Sequence, residues 1–461
     1  MFILNKKKFY HNLILIFLIF FFSRIASFFF FEIRPNDDFS GAWQVVNPQF
    51  LKNNLSEAIL NLIFQPPLYN LIIGIVFKFF ENISSVALFF YFFNILITIF
   101  ILIITFHLCI IYQLSKAKTF LLLLFTIVNP SIYFYETNAP NYESIACFIL
   151  ILQFFLFIKY FKKYSLKLLI LIYLNFLILT YLWSAFTPII LIIFFGLDLF
   201  VNQNFMERKK KNIFIFSFFF FLSLLPAIKN FILFDYINSG SLGIGMQIGP
   251  TTSSIKNDFS IHNECSVLVE EKWNQLYYKK YNLKIQLIKP PNLPTEKFNN
   301  LNTLGRITKS EYCTKKSLSY IKENFLLYIL ARSKELIISH TQFAVDHSFT
   351  VGHPKHFEKM KNLLKELHND NNPYKRVKQF ILMSFFIFIY FIIGKRIIME
   401  KKKYFKYSYI CMTLLYFYFL AVATLFSQYE GARFIHTFYI IQLIFWLIFL
   451  NQSSSRVIIK L

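Results

Sequence analysis

Lys6-Lys7-Lys8 stands just ahead of Leu13-Ile14-Leu15-Ile16-Phe17-Leu18-Ile19-Phe20-Phe21-Phe22-Ser23-Arg24-Ile25-Ala26-Ser27-Phe28-Phe29-Phe30-Phe31, and the run closes at Glu32. A basic start followed by an apolar run is also the plan of a signal peptide. Here the run reaches about twenty residues, enough to span a bilayer, and no small-residue cleavage site closes it. It is read as a retained first membrane helix with its lysines in the cytoplasm. Arg24 lies about two turns from the outer end of that helix. It can snorkel outward or pair with an acid in the bundle, and snorkelling is the expectation.

The rest of the chain repeats this plan. Of 461 residues, 56% are hydrophobic and 63 are Phe, with a mean hydropathy of +0.50, which is more apolar surface than a soluble fold can bury. In a soluble chain the formal charge of +24 would point to nucleic acid. Here Lys and Arg sit in short clusters between apolar runs, as the positive-inside rule requires, and no nucleic-acid partner is expected.

Apolar runs fall near 12–31, 66–81, 86–112, 119–134, 143–160, 166–183, 186–201, 212–228, 376–394, 404–426 and 434–450. If 66–81 crossed, every later basic cluster would lie outside. If it stays in the outer leaflet, Lys116/Lys118, Lys159 to Lys167, Arg208 to Lys211, Lys395 to Lys403 and Arg456/Lys460 all fall inside. Pro66-Pro67, which lacks two backbone donors, suits the start of such a short segment. The expected fold is therefore an all-α polytopic membrane protein with about ten transmembrane helices and both termini cytoplasmic.

Three units are expected: a transmembrane module over 1–228, an extracytoplasmic domain over 229–375 and C-terminal transmembrane helices over 376–461. The middle unit alone has soluble-protein composition. It opens with Gly240, Gly243, Gly245 and Gly249 and turns amphipathic from Thr314 to Ser339, where Leu318, Ile321, Phe325, Ile329 and Leu336 can share a helical face suited to packing on the membrane surface or on the helix bundle. A small, mainly helical domain over the helix mouths follows. Cys265 and Cys313 both lie in it and are a candidate disulfide in an oxidising compartment, whereas Cys109, Cys147 and Cys411 lie in apolar runs as small buried residues.

This topology gathers the distinctive polar residues on the outer face. Asp37-Asp38 follows the first helix, Gln65-Pro66-Pro67-Leu68-Tyr69 opens the non-crossing segment, and Asn129-Pro130-Ser131 precedes Glu136, Tyr142 and Glu143. Leu225-Pro226-Ala227-Ile228-Lys229-Asn230 leads into the glycine loop, and Tyr429-Glu430-Gly431-Ala432-Arg433-Phe434 opens the last run. Each has a plainer reading. Asp37 and Asp38 can simply end a membrane segment, Arg433 and Lys229 can anchor membrane edges, and Glu143 can start a helix favoured by the dipole.

Taken in order, these motifs resemble the GT-C superfamily of membrane glycosyltransferases, in particular the group of dolichyl-phosphate-mannose protein mannosyltransferases and bacterial aminoarabinose transferases of lipid A. The resemblance covers nearly the whole chain. Lys229 stands where bacterial members usually have Arg, Asp38 where the mannosyltransferases have Glu, and the Trp-Trp-Asp signature of oligosaccharyltransferases is missing. The resemblance implies transfer of a sugar from a polyprenyl-phosphate carrier to an acceptor on the extracytoplasmic face, with inversion. It implies Asp37 as catalytic base with Asp38 as partner or substitute, Arg433 and Lys229 on the lipid phosphate, and Glu143, Tyr142, Tyr69 and Gln65 in the substrate pocket.

The implied partners are a lipid-linked sugar donor, membrane lipids and a glycan, lipid or protein acceptor. No cofactor is expected and no metal site, since His347, His353 and His356 match no zinc spacing. No Walker loop, zinc-protease motif or serine elbow is present in the sequence, which disfavours a pump or a protease. Two alternatives stand beside the transferase. A flippase for lipid-linked sugars would carry broken helices near the midplane, and a surface polysaccharide polymerase or ligase would not need the acidic pair.

Overall fold

The computed structural model describes residues 2–30, 35, 48–63, 67–137, 142–183, 186–201, 205–237, 275, 279, 305–341, 373–426 and 439–455. The elements in chain order are α1 (Phe2–Phe30), α2 (Pro48–Asn53), α3 (Leu55–Leu60), α4 (Pro67–Phe79), α5 (Ile83–Ile111), α6 (Lys116–Ile127), α7 (Pro130–Thr137) and α8 (Glu143–Lys162). They continue with α9 (Leu166–Leu182), α10 (Ile189–Val201), α11 (Phe205–Phe234), α12 (Gly305–Glu323), α13 (Phe325–Thr341), α14 (Pro373–Met399), α15 (Lys403–Phe426) and α16 (Tyr439–Ser455). No strand occurs among the described residues. Four helices are long and apolar enough to cross a membrane, Ile83–Ile111, Glu143–Lys162, Lys210–Phe234 and Phe380–Met399, and shorter apolar helices accompany them.

Local chemistry explains where the helices start and stop. The Asn82 side chain accepts the Ser85 N–H at 2.7 Å and caps the start of α5. At its other end Gln113 takes φ 55°, and the N–H groups of Gln113 and Leu114 return to the carbonyls of Ile110 and Cys109 at 3.0 Å. That is a Schellman closure. The run expected over 119–134 is two helices, α6 and α7. Pro130 has no N–H to continue α6 and pushes the residue before it out of the helical region. The run expected to end at 228 instead belongs to a helix that passes through Pro226 and ends at Phe234, where Asp235 at φ 51° closes it.

Helix α8 is the centre of the bundle, packed against α5, α7, α9, α15 and α16. Its apolar window is 67% buried, against 39%, 22% and 17% in the other three long apolar helices. A helix apolar all round suits a position surrounded by other helices. Leu150, Ile151, Phe154 and Phe157 fill the middle. Helix α1 is more peripheral, with Ile16 and Phe20 in a separate cluster with Leu102 and Phe106 of α5 and Leu123 and Ile127 of α6.

Side chains far apart in sequence meet at two ends of this bundle. At one end the Tyr112 hydroxyl donates to the Tyr409 hydroxyl at 2.7 Å, and Lys118 Nζ donates to the Leu450 carbonyl at 2.7 Å. Tyr160 OH and Asn212 Nδ2 donate to the two Asp198 carboxylate oxygens at 2.7 and 3.2 Å, and Tyr164 OH donates to Asn212 Oδ1 at 2.9 Å. This network joins the last turns of α8 and α10 to the first turns of α11. The opposite end holds the groups discussed in the next subsection.

The amphipathic segment expected over Thr314 to Ser339 runs from Gly305 to Thr341 as two helices separated by the single residue Asn324. Helical bonds continue through that residue, from Asn324 N–H to Tyr320 O at 2.9 Å and from Tyr328 N–H to Asn324 O at 3.0 Å. Of the two settings expected for the apolar face, the membrane surface or the helix bundle, Leu318, Phe325 and Ile329 do not take the second. Leu318, Phe325 and Ile329 are exposed, whereas Cys313, Ser317, Tyr328, Ala331 and Arg332 are buried. Their helical spacing is right, but the stripe that packs is the one carrying the small and polar side chains.

Cys313 is disulfide-bonded, and Cys109, Cys147 and Cys411 are buried free thiols. Cys265 lies outside the described residues. Non-reducing peptide mapping of the intact protein is expected to yield one linked peptide containing Cys265 and Cys313. Recovery of Cys265 as a free thiol would contradict that pairing.

Candidate functional site

The end of the bundle opposite the Asp198 network gathers the C-terminal ends of α1, α7, α9 and α11 with the N-terminal ends of α4, α5 and α8. Tyr69 lies in the first turn of α4, which Pro67 can begin because the missing proline N–H would be unsatisfied there anyway. Its ring stands edge-on to Tyr142 at 5.7 Å and lies 6.1 Å from Phe90 of α5. Tyr142 in turn meets Trp183 at 5.3 Å, and Trp183 meets Phe186 at 5.6 Å. Tyr69, Tyr142, Trp183 and Phe186 are all buried.

Glu143, the residue after Tyr142, opens α8 beside this aromatic group and is fully buried. A carboxylate in the first turn of a helix is stabilised by the exposed N–H groups and the positive end of the dipole. Thus three of the residues expected in the substrate pocket, Tyr69, Tyr142 and Glu143, come together. Trp183 joins them, a residue whose signal in the sequence was its place at the outer end of an apolar run.

Lys229 is half-buried near the end of α11, where its Nζ donates to the Leu62 carbonyl and lies 5.8 Å from the Phe234 ring centre. Its neighbour Asn230 is buried and donates from Nδ2 to the Ile63 carbonyl at 2.8 Å. Both bonds go to the chain leaving α3, a few residues ahead of Pro67 and Tyr69. The Pro226 motif and the Tyr69 motif are therefore neighbours in space. An ammonium has three donors, of which the bond to Leu62 uses one.

Arg24 does not snorkel. It is 5% exposed and forms a bidentate pair with Glu136 of α7, Nε to Oε2 at 2.7 Å and Nη2 to Oε1 at 2.8 Å. Its Nη1 also donates to the Ile127 carbonyl and to Ser23 Oγ, both at 3.0 Å, and its Cζ lies 4.4 Å from the centre of the Phe20 ring. The break before Pro130 frees that carbonyl inside the bundle and brings the Glu136 carboxylate within reach. An outward-pointing arginine would leave both without this donor, and an unpaired buried carboxylate costs several kcal/mol. Asn94 of α5 completes the arrangement by donating to the Tyr135 carbonyl at 3.2 Å. Asn94 was missed in the sequence, although a lone amide within a Phe-rich run is a visible signal.

Asp37, Asp38, Gln65, Arg433 and Cys265 lie outside the described residues, as do His347, His353 and His356. Among the described residues, no group of three or more His, Cys, Asp or Glu side chains is arranged to hold a metal ion. A small apolar cavity of about 10 Å³ lies between α8, α9, α10 and α15, lined by Phe157, Phe176, Phe194, Cys411 and Tyr418 among others. That is space for about one water in apolar surroundings, and it is no substrate site. Compared with family models, curated proteins and solved structures, the chain matches none.

Arg24→Met and Glu136→Met should each destabilise the protein by about 3–5 kcal/mol, because each strands one buried charge. The double substitution should cost clearly less than the sum. Equilibrium unfolding in detergent micelles, read by circular dichroism, checks this. Additive losses would mean that the pair contributes no coupling.

Proposed function

We propose that this chain is an inverting glycosyltransferase of the GT-C type, taking a sugar from a polyprenyl-phosphate carrier and delivering it to an acceptor at the extracytoplasmic face of a bacterial inner membrane. The observation that carries the proposal is the contact of Tyr69 with Tyr142, beside Glu143 at the start of α8, with Lys229 and Asn230 bonded to the chain just ahead of Tyr69. These residues come from three separated stretches that carry the family resemblance. A shared function gives a reason for three such stretches to converge. The ten-crossing topology belongs to the same proposal, with Lys116, Lys162, Lys210 and Lys403 at the cytoplasmic end.

In the proposed reaction the acceptor hydroxyl oxygen attacks the anomeric carbon as the bond from that carbon to the carrier phosphate oxygen breaks. The hydroxyl proton passes to Asp37, with Asp38 as partner or substitute, and the polyprenyl phosphate leaves with the bonding electron pair. Arg433 meets the developing phosphate charge with a planar fork, and Lys229 adds a second cation from α11. Glu143, Tyr142, Tyr69 and Gln65 are assigned to the sugar hydroxyls as acceptors and donors. No metal takes part in this scheme.

Transfer of radiolabelled sugar from a panel of polyprenyl-phosphate sugars is the test, using membranes with matched amounts of folded protein. The wild type should transfer from at least one donor, and Asp37→Asn should lower the rate by roughly 10²–10⁴-fold. Arg433→Ala should lower it by roughly 10²-fold, and Arg433→Lys should recover part of that loss. Equal rates for wild type and Asp37→Asn would remove Asp37 as the base. Translocation of lipid-linked sugar across vesicles without any transfer would favour a flippase.

A further inference from the structure

The exposed face changes character where α12 gives way to α13 at Asn324. Before Asn324 that face carries Lys315, Ser319, Lys322 and Glu323 along with Tyr312 and Leu318. After it the exposed face is Phe325 at 60%, Leu326 at 77%, Ile329 at 41% and Leu330 at 64%. The opposite, buried face of α13 holds Tyr328, Ala331 and Arg332, with the guanidinium carbon 5.2 Å from the centre of the Tyr328 ring. The first half of α13 is thus inside out for a helix in water, with a charge packed inward and four large apolar side chains facing outward.

A helix turned this way is stable where its surroundings are themselves apolar. Helix α13 packs directly on α14 and α15, and α14 is one of the helices able to cross a membrane, with Phe380, Ile381 and Phe388 exposed along it. The apolar face of α13 therefore adjoins a surface that faces lipid. Lys315 and Lys322, exposed on the other side of Asn324, are the cations that meet phospholipid headgroups when a neighbouring face is immersed.

We propose that the first half of α13 is immersed in the hydrocarbon of the bilayer edge, with Phe325, Leu326, Ile329 and Leu330 against acyl chains and the helix leaving into the headgroup layer at Asn324. The occupant of this face is the phospholipid leaflet itself. The inference does not rest on the transferase reaction. It assigns to the region between α11 and α14 a membrane-immersed helix as well as surface outside the bilayer.

Nitroxide labels on Leu326→Cys, Leu330→Cys, Lys315→Cys and Ser319→Cys test it in the full chain, reconstituted in phosphatidylethanolamine and phosphatidylglycerol nanodiscs. The unsubstituted protein serves as the labelling blank, since Cys109, Cys147 and Cys411 are buried. All four positions are exposed, so replacement leaves the packed face intact. At 326 and 330 oxygen should collide several-fold more often than a water-soluble nickel chelate, and at 315 and 319 the order should reverse. Chelate access at 326 and 330 equal to that at 315 would put the face in water and overturn the proposal. Low collision with both reagents at 326 and 330 would mean that a protein surface covers it, and would overturn it equally.

Discussion

A backbone carbonyl freed inside an apolar bundle has no water to turn to, and the end of this protein that holds Tyr69 and Glu143 is arranged around that constraint. The break between α6 and α7 frees the Ile127 carbonyl, which Arg24 satisfies, and Asn94 reaches the Tyr135 carbonyl in the last turn of α7. The chain leaving α3 presents the carbonyls of Leu62 and Ile63, and Lys229 and Asn230 meet them. In each case the donor is a side chain from a distant helix. Irregular backbone is thereby tolerated next to the candidate site, and the distant helices are bound to it.

The same constraint explains why α8 is at the centre. A helix that satisfies its own backbone can be surrounded by apolar side chains, and α8 offers them on every side to α5, α9, α15 and α16. Packing between helices in lipid gains little from expelling water and depends on close contact and polar bonds. Clusters of polar bonds sit at the two ends, with Asp198, Tyr160 and Asn212 at one and Arg24, Glu136 and Asn94 at the other. Between them lie scattered polar groups, among them the bonded hydroxyls of Tyr390 and Tyr416 and the buried side chains of Gln153 and Asn175.

For the proposed transferase this division has a consequence. Lys229 and Asn230 belong to a motif that the family resemblance associates with the lipid phosphate, yet both bond to backbone near Tyr69. In the proposed reaction this motif would both shape the site and supply part of its charge. Replacing Lys229 would disturb the path of the chain ahead of Tyr69 as well as remove a cation, so Arg433 is the cleaner probe of phosphate stabilisation. Glu136 is likewise engaged with Arg24, which separates it in role from Glu143 only seven residues on.

Composition, hydropathy and the placing of Lys and Arg made the all-helical membrane class legible without coordinates, because the cost of apolar surface in water depends little on detail. The break before Pro130 is legible too, through the missing proline donor, although the apolar run over 119–134 passes across it without a gap. The partners of polar groups were not legible. Whether Arg24 snorkels or pairs depends on whether a carboxylate and a free carbonyl lie within about 3 Å, and 112 residues of chain separate it from Glu136. The face of α13 shows the same limit, since its periodicity is in the sequence but the side that packs is not. Helical spacing determines which side chains share a stripe, and only the tertiary structure decides whether that stripe meets protein or faces outward, because that choice depends on what the neighbouring helices present.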